Sequence, residues 1–77
     1  ALARLYLDAG QLAQAMSTAE KLTKVYPGFA EGYLIQGTVL QLQNAEWTRT
    51  KALYERYLEL QPNGLHAKDV RGILSRH

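Results

Sequence analysis

Apolar residues recur at steps of three and four along most of this chain, and the recurrence divides it into five segments. From Leu12 to Tyr26 they fall at Leu12, Ala15, Met16, Ala19, Leu22 and Val25, one face of a helix with a period of ~3.6 residues. Pro27 and Gly28 stop that segment: proline drives the residue before it out of the helical region, and glycine gives the turn a permissive backbone. Further helices are predicted from Phe29 to Gln43, from Glu46 to Leu60, and from Leu65 to Arg76, with breaks at Gln43, Asn44 and Ala45 and at Pro62, Asn63 and Gly64. The chain opens on a helical segment from Ala1 to about Ala9 that carries Leu2, Leu5, Tyr6 and Ala9 on one side and stops at Gly10. No run alternates apolar and polar residues between hairpin turns, and β-branched residues are few, so the expected class is all-α.

The Phe29–Gln43 segment is apolar on two sides, one through Tyr33, Gly37 and Leu40 and the other through Ile35, Val39 and Leu42. A helix at the edge of a bundle needs only one such stripe, so this one is expected between a hairpin partner and a helix of the next unit. The Glu46–Leu60 segment places Trp47, Thr50, Leu53, Tyr54, Tyr57 and Leu58 inside and Glu55, Arg56 and Glu59 outside. The last segment has Val70, Ile73 and Leu74 as its stripe and is suited to cover an open end.

Composition narrows the picture. At 77 residues with no cysteine, the chain has no disulfide or thiolate-metal staple, and a lone core of this size buries only ~60% of the unfolded surface. Stacking of helices is the remaining source of stability. The hydrophobic fraction of 47% with 21% charged residues is that of a folded protein, not of a disordered one. No apolar run approaches the ~20 residues of a membrane helix, since Gly32 to Leu42 is interrupted by Gln36, Gly37, Thr38 and Gln41. A soluble protein without membrane insertion is expected. The compartment stays open, because a signal peptide could precede a chain that starts without Met. The net charge of +2 comes from Lys68, Arg71 and Arg76 against Asp69, too small a surplus for a nucleic-acid footprint.

Pro27 and Pro62 stand 35 residues apart, each closing an amphipathic segment. In this punctuation the chain resembles the tetratricopeptide repeat, W-x2-L-G-x2-Y, then A-x3-F, then P. Tyr33 stands for the large aromatic of the first helix, Gly37 for its glycine, Leu40 for its tyrosine, Tyr54 for the large residue of the second helix and Pro62 for the closing proline. The preceding unit supplies Leu2, Ala3 for the glycine, Tyr6, Gly10, Ala15 and Pro27, and Gly72 falls where a third glycine is expected. The sequence departs from the pattern at Gln36 for leucine, at Thr50 and Tyr57 for alanines, and in a middle unit one residue longer than the common 34. A helical bundle without repeats is the competing architecture.

The resemblance implies antiparallel helix hairpins stacked as a short right-handed solenoid: a truncated first repeat over 1–27, a complete one over 28–62 and a C-terminal capping helix over 63–77. It also implies a scaffold that binds a protein or peptide along the surface formed by the first helix of each repeat. Here that surface carries Arg4, Leu7 and Asp8, then Glu31, Leu34, Thr38, Gln41 and Leu42, then His66, Asp69 and Ile73. Some family members use a Lys, Arg and Asn cluster there to hold acidic carboxyl termini, but Leu34 and Thr38 occupy the places of the Lys and Asn. An apolar partner segment is expected instead. Whether Leu34 and Leu42 are buried or exposed stays open. The alternative role is structural: to extend or cap a longer array and mediate self-association, with Leu2, Leu5 and Tyr6 lacking a preceding partner.

No catalytic or cofactor chemistry is expected. His66 and His77 are the only histidines, too few for a triad, and Ser17 and Ser75 read as surface residues. His66 with Asp69 gives two metal ligands where zinc needs three or four. Glu55 and Glu59 beside Arg56 and Lys51 form a solvated face, with Lys51 and Glu55 spaced to pair. Gly28, Gly32 and Gly37 are not followed by the Gly-Lys-Ser/Thr of a phosphate loop, and Trp47, Tyr33, Tyr54 and Tyr57 have core spacing, not that of exposed stacking platforms.

Overall fold

The computed structural model describes residues 2–77; Ala1, the expected start of the first helix, lies outside the described residues. Among the described residues there are five helices and no strand: α1 (Leu2–Asp8), α2 (Leu12–Val25), α3 (Ala30–Leu42), α4 (Trp47–Leu60) and α5 (Ala67–Ser75). Each packs on the next in sequence, and α1 also touches α3. α3 is sandwiched as expected, with its hairpin partner α4 on one side, but the other side is covered by α1 and α2 of the preceding unit and not by a helix of the next, because α5 packs on α4.

Two cores explain the two apolar sides of α3. Ile35 and Val39 point into a core with Ala3, Ala15 and Ala19, all fully buried, bordered by Tyr6, Leu7, Leu12, Met16 and Leu22. Ala30 and Leu34 join the other, with Tyr54, Tyr57, Ala67 and Val70. Small residues line the first because its helices approach closely, and aromatic rings fill the second. None of the residues before α2, α3, α4 and α5 makes a side-chain cap bond, so these helices depend on this burial more than on local capping.

The first helix of each hairpin ends in the same way. Gly10 (φ 77°) and Asn44 (φ 52°) adopt the left-handed conformation. The amides of Gln11 and Ala45 donate to the carbonyls of Tyr6 and Leu40, and those of Gly10 and Asn44 to Leu7 and Gln41. This is the Schellman arrangement, found twice, 34 residues apart. After it, α2 starts one residue past Gln11, whereas Glu46 intervenes between Ala45 and α4. The extra residue of the longer unit thus sits in the turn and leaves both helices intact.

Gln36, in place of a leucine, is buried, and its Nε2 donates to Thr23 Oγ1 at 3.0 Å; that hydroxyl donates in turn to the carbonyls of Ala19 and Glu20. The polar substitution becomes a cross-helix tie between α2 and α3. Several sequence expectations need correction. Val25, at the last turn of α2, is 67% exposed, because the chain leaves the helix there toward Pro27. Leu65 is outside α5 and 91% exposed, since the turn begun at Pro62 continues to His66. In α1 the fully buried position is Ala3, while Leu2 and Leu5 face solvent. Trp47 is only half-buried and stacks on His77, with ring centroids 3.8 Å apart. Lys51 and Glu55 do not pair; among the described residues the ion pairs are Arg4–Asp8, Arg49–Glu20 and Arg56–Glu59.

Candidate functional site

The first helices of successive units leave a groove on one face of the molecule. Its walls are α1, through Arg4, Leu7 and Asp8, and α5 with its preceding turn, through His66, Asp69, Val70 and Ile73. Leu34, Thr38 and Leu42 of α3 and the ring of Tyr54 form its base. Its volume is about 380 Å³. Residues from three distant segments meet here because they occupy equivalent helix positions at one repeat spacing.

Nine of the eleven residues expected on this surface line the groove: Arg4, Leu7, Asp8, Leu34, Thr38, Leu42, His66, Asp69 and Ile73. Glu31 and Gln41 do not. Glu31 borders a neighbouring depression of about 340 Å³ with Phe29, Tyr57, Gln61, Leu65 and His66, and His66 is common to both. Gln41 is turned to Tyr54, whose hydroxyl donates to Gln41 Oε1 at 2.7 Å. Tyr54 and Val70 were assigned to the core by their spacing; both are core residues that also show an edge to the groove.

The apolar members differ in availability. Leu34 is 7% exposed and belongs to the core with Tyr54 and Val70, whereas Leu42 is 60% exposed. The question left open by the sequence is thereby answered differently for the two leucines. Leu7 and Ile73 are half-buried on opposite walls. Leu42, Leu7 and Ile73 are the apolar side chains with area still to lose to a partner.

The polar members are held by local bonds. Arg4 and Asp8 pair at 3.5 Å across one helical turn. Thr38 Oγ1 donates to the Leu34 carbonyl at 2.8 Å. The amide of His66 donates to the hydroxyl of Tyr57 at 3.2 Å, which fixes the turn before α5 over the end of α4. Burial pushes the Tyr54 phenol above its ordinary value of 10.0, an effect partly offset by the neighbouring Thr38 hydroxyl. Among the described residues no group of three or more His, Cys, Asp or Glu is placed to hold a metal ion, and no helix is long and apolar enough to cross a membrane.

Comparison with known proteins agrees with this geometry. A family model described as tetratricopeptide repeat matches residues 1–28, the span of the α1–α2 hairpin through Pro27 and Gly28. The human protein O-mannosyl-transferase TMTC3 is 30% identical to this chain over 67 residues, which cover 87% of the chain and 7% of that protein. The chain thus spans a small part of the length of that relative. No solved structure matches it significantly. Hairpins that recur at the repeat spacing, a glycine of α3 under an aromatic ring of α4 and the matched model on the first hairpin together support a fragment of the tetratricopeptide repeat family.

Proposed function

We propose that the chain is a protein-interaction module that receives an apolar segment of another protein in the groove between α1 and α5. The observation that carries this reading is Leu42: a leucine 60% exposed at the base of a groove, flanked by half-buried Leu7 and Ile73 on opposite walls. Covering it removes apolar area from water, worth roughly 1–2 kcal/mol for a leucine still mostly exposed. Interaction scaffolding is the general role of the family. The transferase activity in the name of the human relative belongs to that protein.

The test uses short synthetic helix-forming peptides with two leucines one turn apart, titrated by calorimetry against the parent chain and two variants. Leu42→Gln removes the apolar contact without adding charge, and weakens binding about fivefold or more. Lys51→Gln, on the exposed outer face of α4, leaves affinity unchanged. Equal affinities for the Leu42 variant and the parent chain reject the groove.

A second reading, in which the chain also packs against further helices, is supported by Gly72. One repeat spacing earlier Gly37 lies beneath Tyr54, but a Cβ on Gly72 would meet nothing within 4 Å. The α5 face is shaped for close approach and unoccupied in this chain. Sedimentation that shows concentration-dependent association, reduced by Gly72→Leu, supports this reading; a strict monomer counts against it.

A further inference from the structure

The charges of the chain are segregated, and the groove holds the minority sign. The groove and the depression that shares His66 with it are lined by three carboxylates, Asp8, Glu31 and Asp69, and by one cation, Arg4. This face therefore carries 1 − 3 = −2. The whole chain has 9 Lys and Arg against 7 Asp and Glu, so the remainder carries 8 − 4 = +4. Arg4 is already engaged with Asp8 at 3.5 Å, while Glu31 and Asp69 make no ion pair among the described residues. A ligand with acidic groups would meet unpaired carboxylates beside exposed Leu42, and one with basic groups would find partners.

We propose that the segment received in this groove is basic as well as apolar: an amphipathic helix with Lys or Arg beside its apolar anchors. This inference rests on the groove reading above and adds the sign of the partner. The leucine-type anchor covers Leu42, and the flanking cation lies over Asp69 on one wall or Glu31 at the neighbouring depression. Such rim charges steer encounter and select among partners more than they add affinity, and salt weakens them.

The test compares peptides identical except at the position flanking the paired leucines, which carries Lys, Gln or Glu. Affinities are measured by fluorescence anisotropy at low and high salt, after circular dichroism confirms that each protein variant is folded. The Lys peptide binds most tightly and the Glu peptide least, by about fivefold per step at low salt, and the differences shrink at high salt. The double variant Glu31→Gln, Asp69→Asn abolishes this ranking. Arg4→Gln has the opposite effect, because it frees Asp8 and removes the one cation, and it tightens binding of the Lys peptide. Binding of all three peptides with equal affinity, or best binding of the Glu peptide, overturns the charge inference and leaves the apolar groove standing. If none binds, the groove reading falls and this inference falls with it.

Discussion

The ring of Tyr54 lies across Gly37: a Cβ on Gly37 would stand 2.7 Å from Tyr54 Cε1 and 2.8 Å from Cδ1. The ring cannot easily yield, because it is 1% exposed and its hydroxyl is bonded to Gln41. In Gly37→Ala the overpacking outweighs the gain in helix propensity, and stability falls by about 1–2 kcal/mol. Gly72→Ala, the same change one repeat later, meets open space and raises the stability of this chain by up to ~1 kcal/mol. Urea denaturation of the two variants checks the contrast.

Thr50 is 1% exposed, and its hydroxyl has no hydrogen-bond partner. A buried unpaired hydroxyl loses its hydration without compensation. Thr50→Val keeps the shape and removes the polar atom, so thermal and urea unfolding should show a gain of about 1 kcal/mol. A loss of stability would mean that the hydroxyl is paired after all.

Burial raises the Tyr54 phenol above 10.0, whereas in the unfolded chain it ionises at that ordinary value. Above pH 10 the folded state therefore retains a proton that the unfolded state has lost, and stability falls as pH rises through this window; below it the contribution is constant. Tyr54→Phe removes this part of the alkaline loss, at the cost of the bond to Gln41, about 0.5–1 kcal/mol at neutral pH. Equal alkaline slopes for the variant and the parent would contradict the assignment.

Leu34 and Leu42 separate folding from binding. Leu34→Glu buries a carboxylate among Tyr54, Tyr57 and Val70 and destabilises by roughly 3 kcal/mol or more, enough to unfold a domain of this size. Leu42→Gln remains folded, because Leu42 is already 60% exposed. Circular dichroism of the two variants distinguishes them.

These two leucines also show how far the sequence could be read. Helix existence and order were legible because Pro27, Gly28, Pro62, Asn63 and Gly64 punctuate strongly periodic segments, and the ends agree to within two residues. The groove was legible in outline because the resemblance assigns the first helix of each repeat to one surface, and nine of its residues do meet there. The depth of each side chain was not. Leu34 and Leu42 both lie on a helix apolar on two sides, and what distinguishes them is the docking of Val70 from α5, a contact that local periodicity does not encode. Arg56 is another case: read as an outer residue, it lies 5.8 Å from the centre of the Tyr33 ring and pairs with Glu59. Lys51 is for that reason the cleaner control on the outer face.

The central claim is that the face formed by α1, α3 and α5 receives the partner, and amide chemical-shift mapping tests it most directly. The isotope-labelled chain is titrated with the paired-leucine peptide that carries Lys. The largest shifts are expected on Leu7, Leu42, Asp69 and Ile73, saturating together. Shifts confined to the outer faces of α2 and α4, around Lys21 and Lys51, would contradict it.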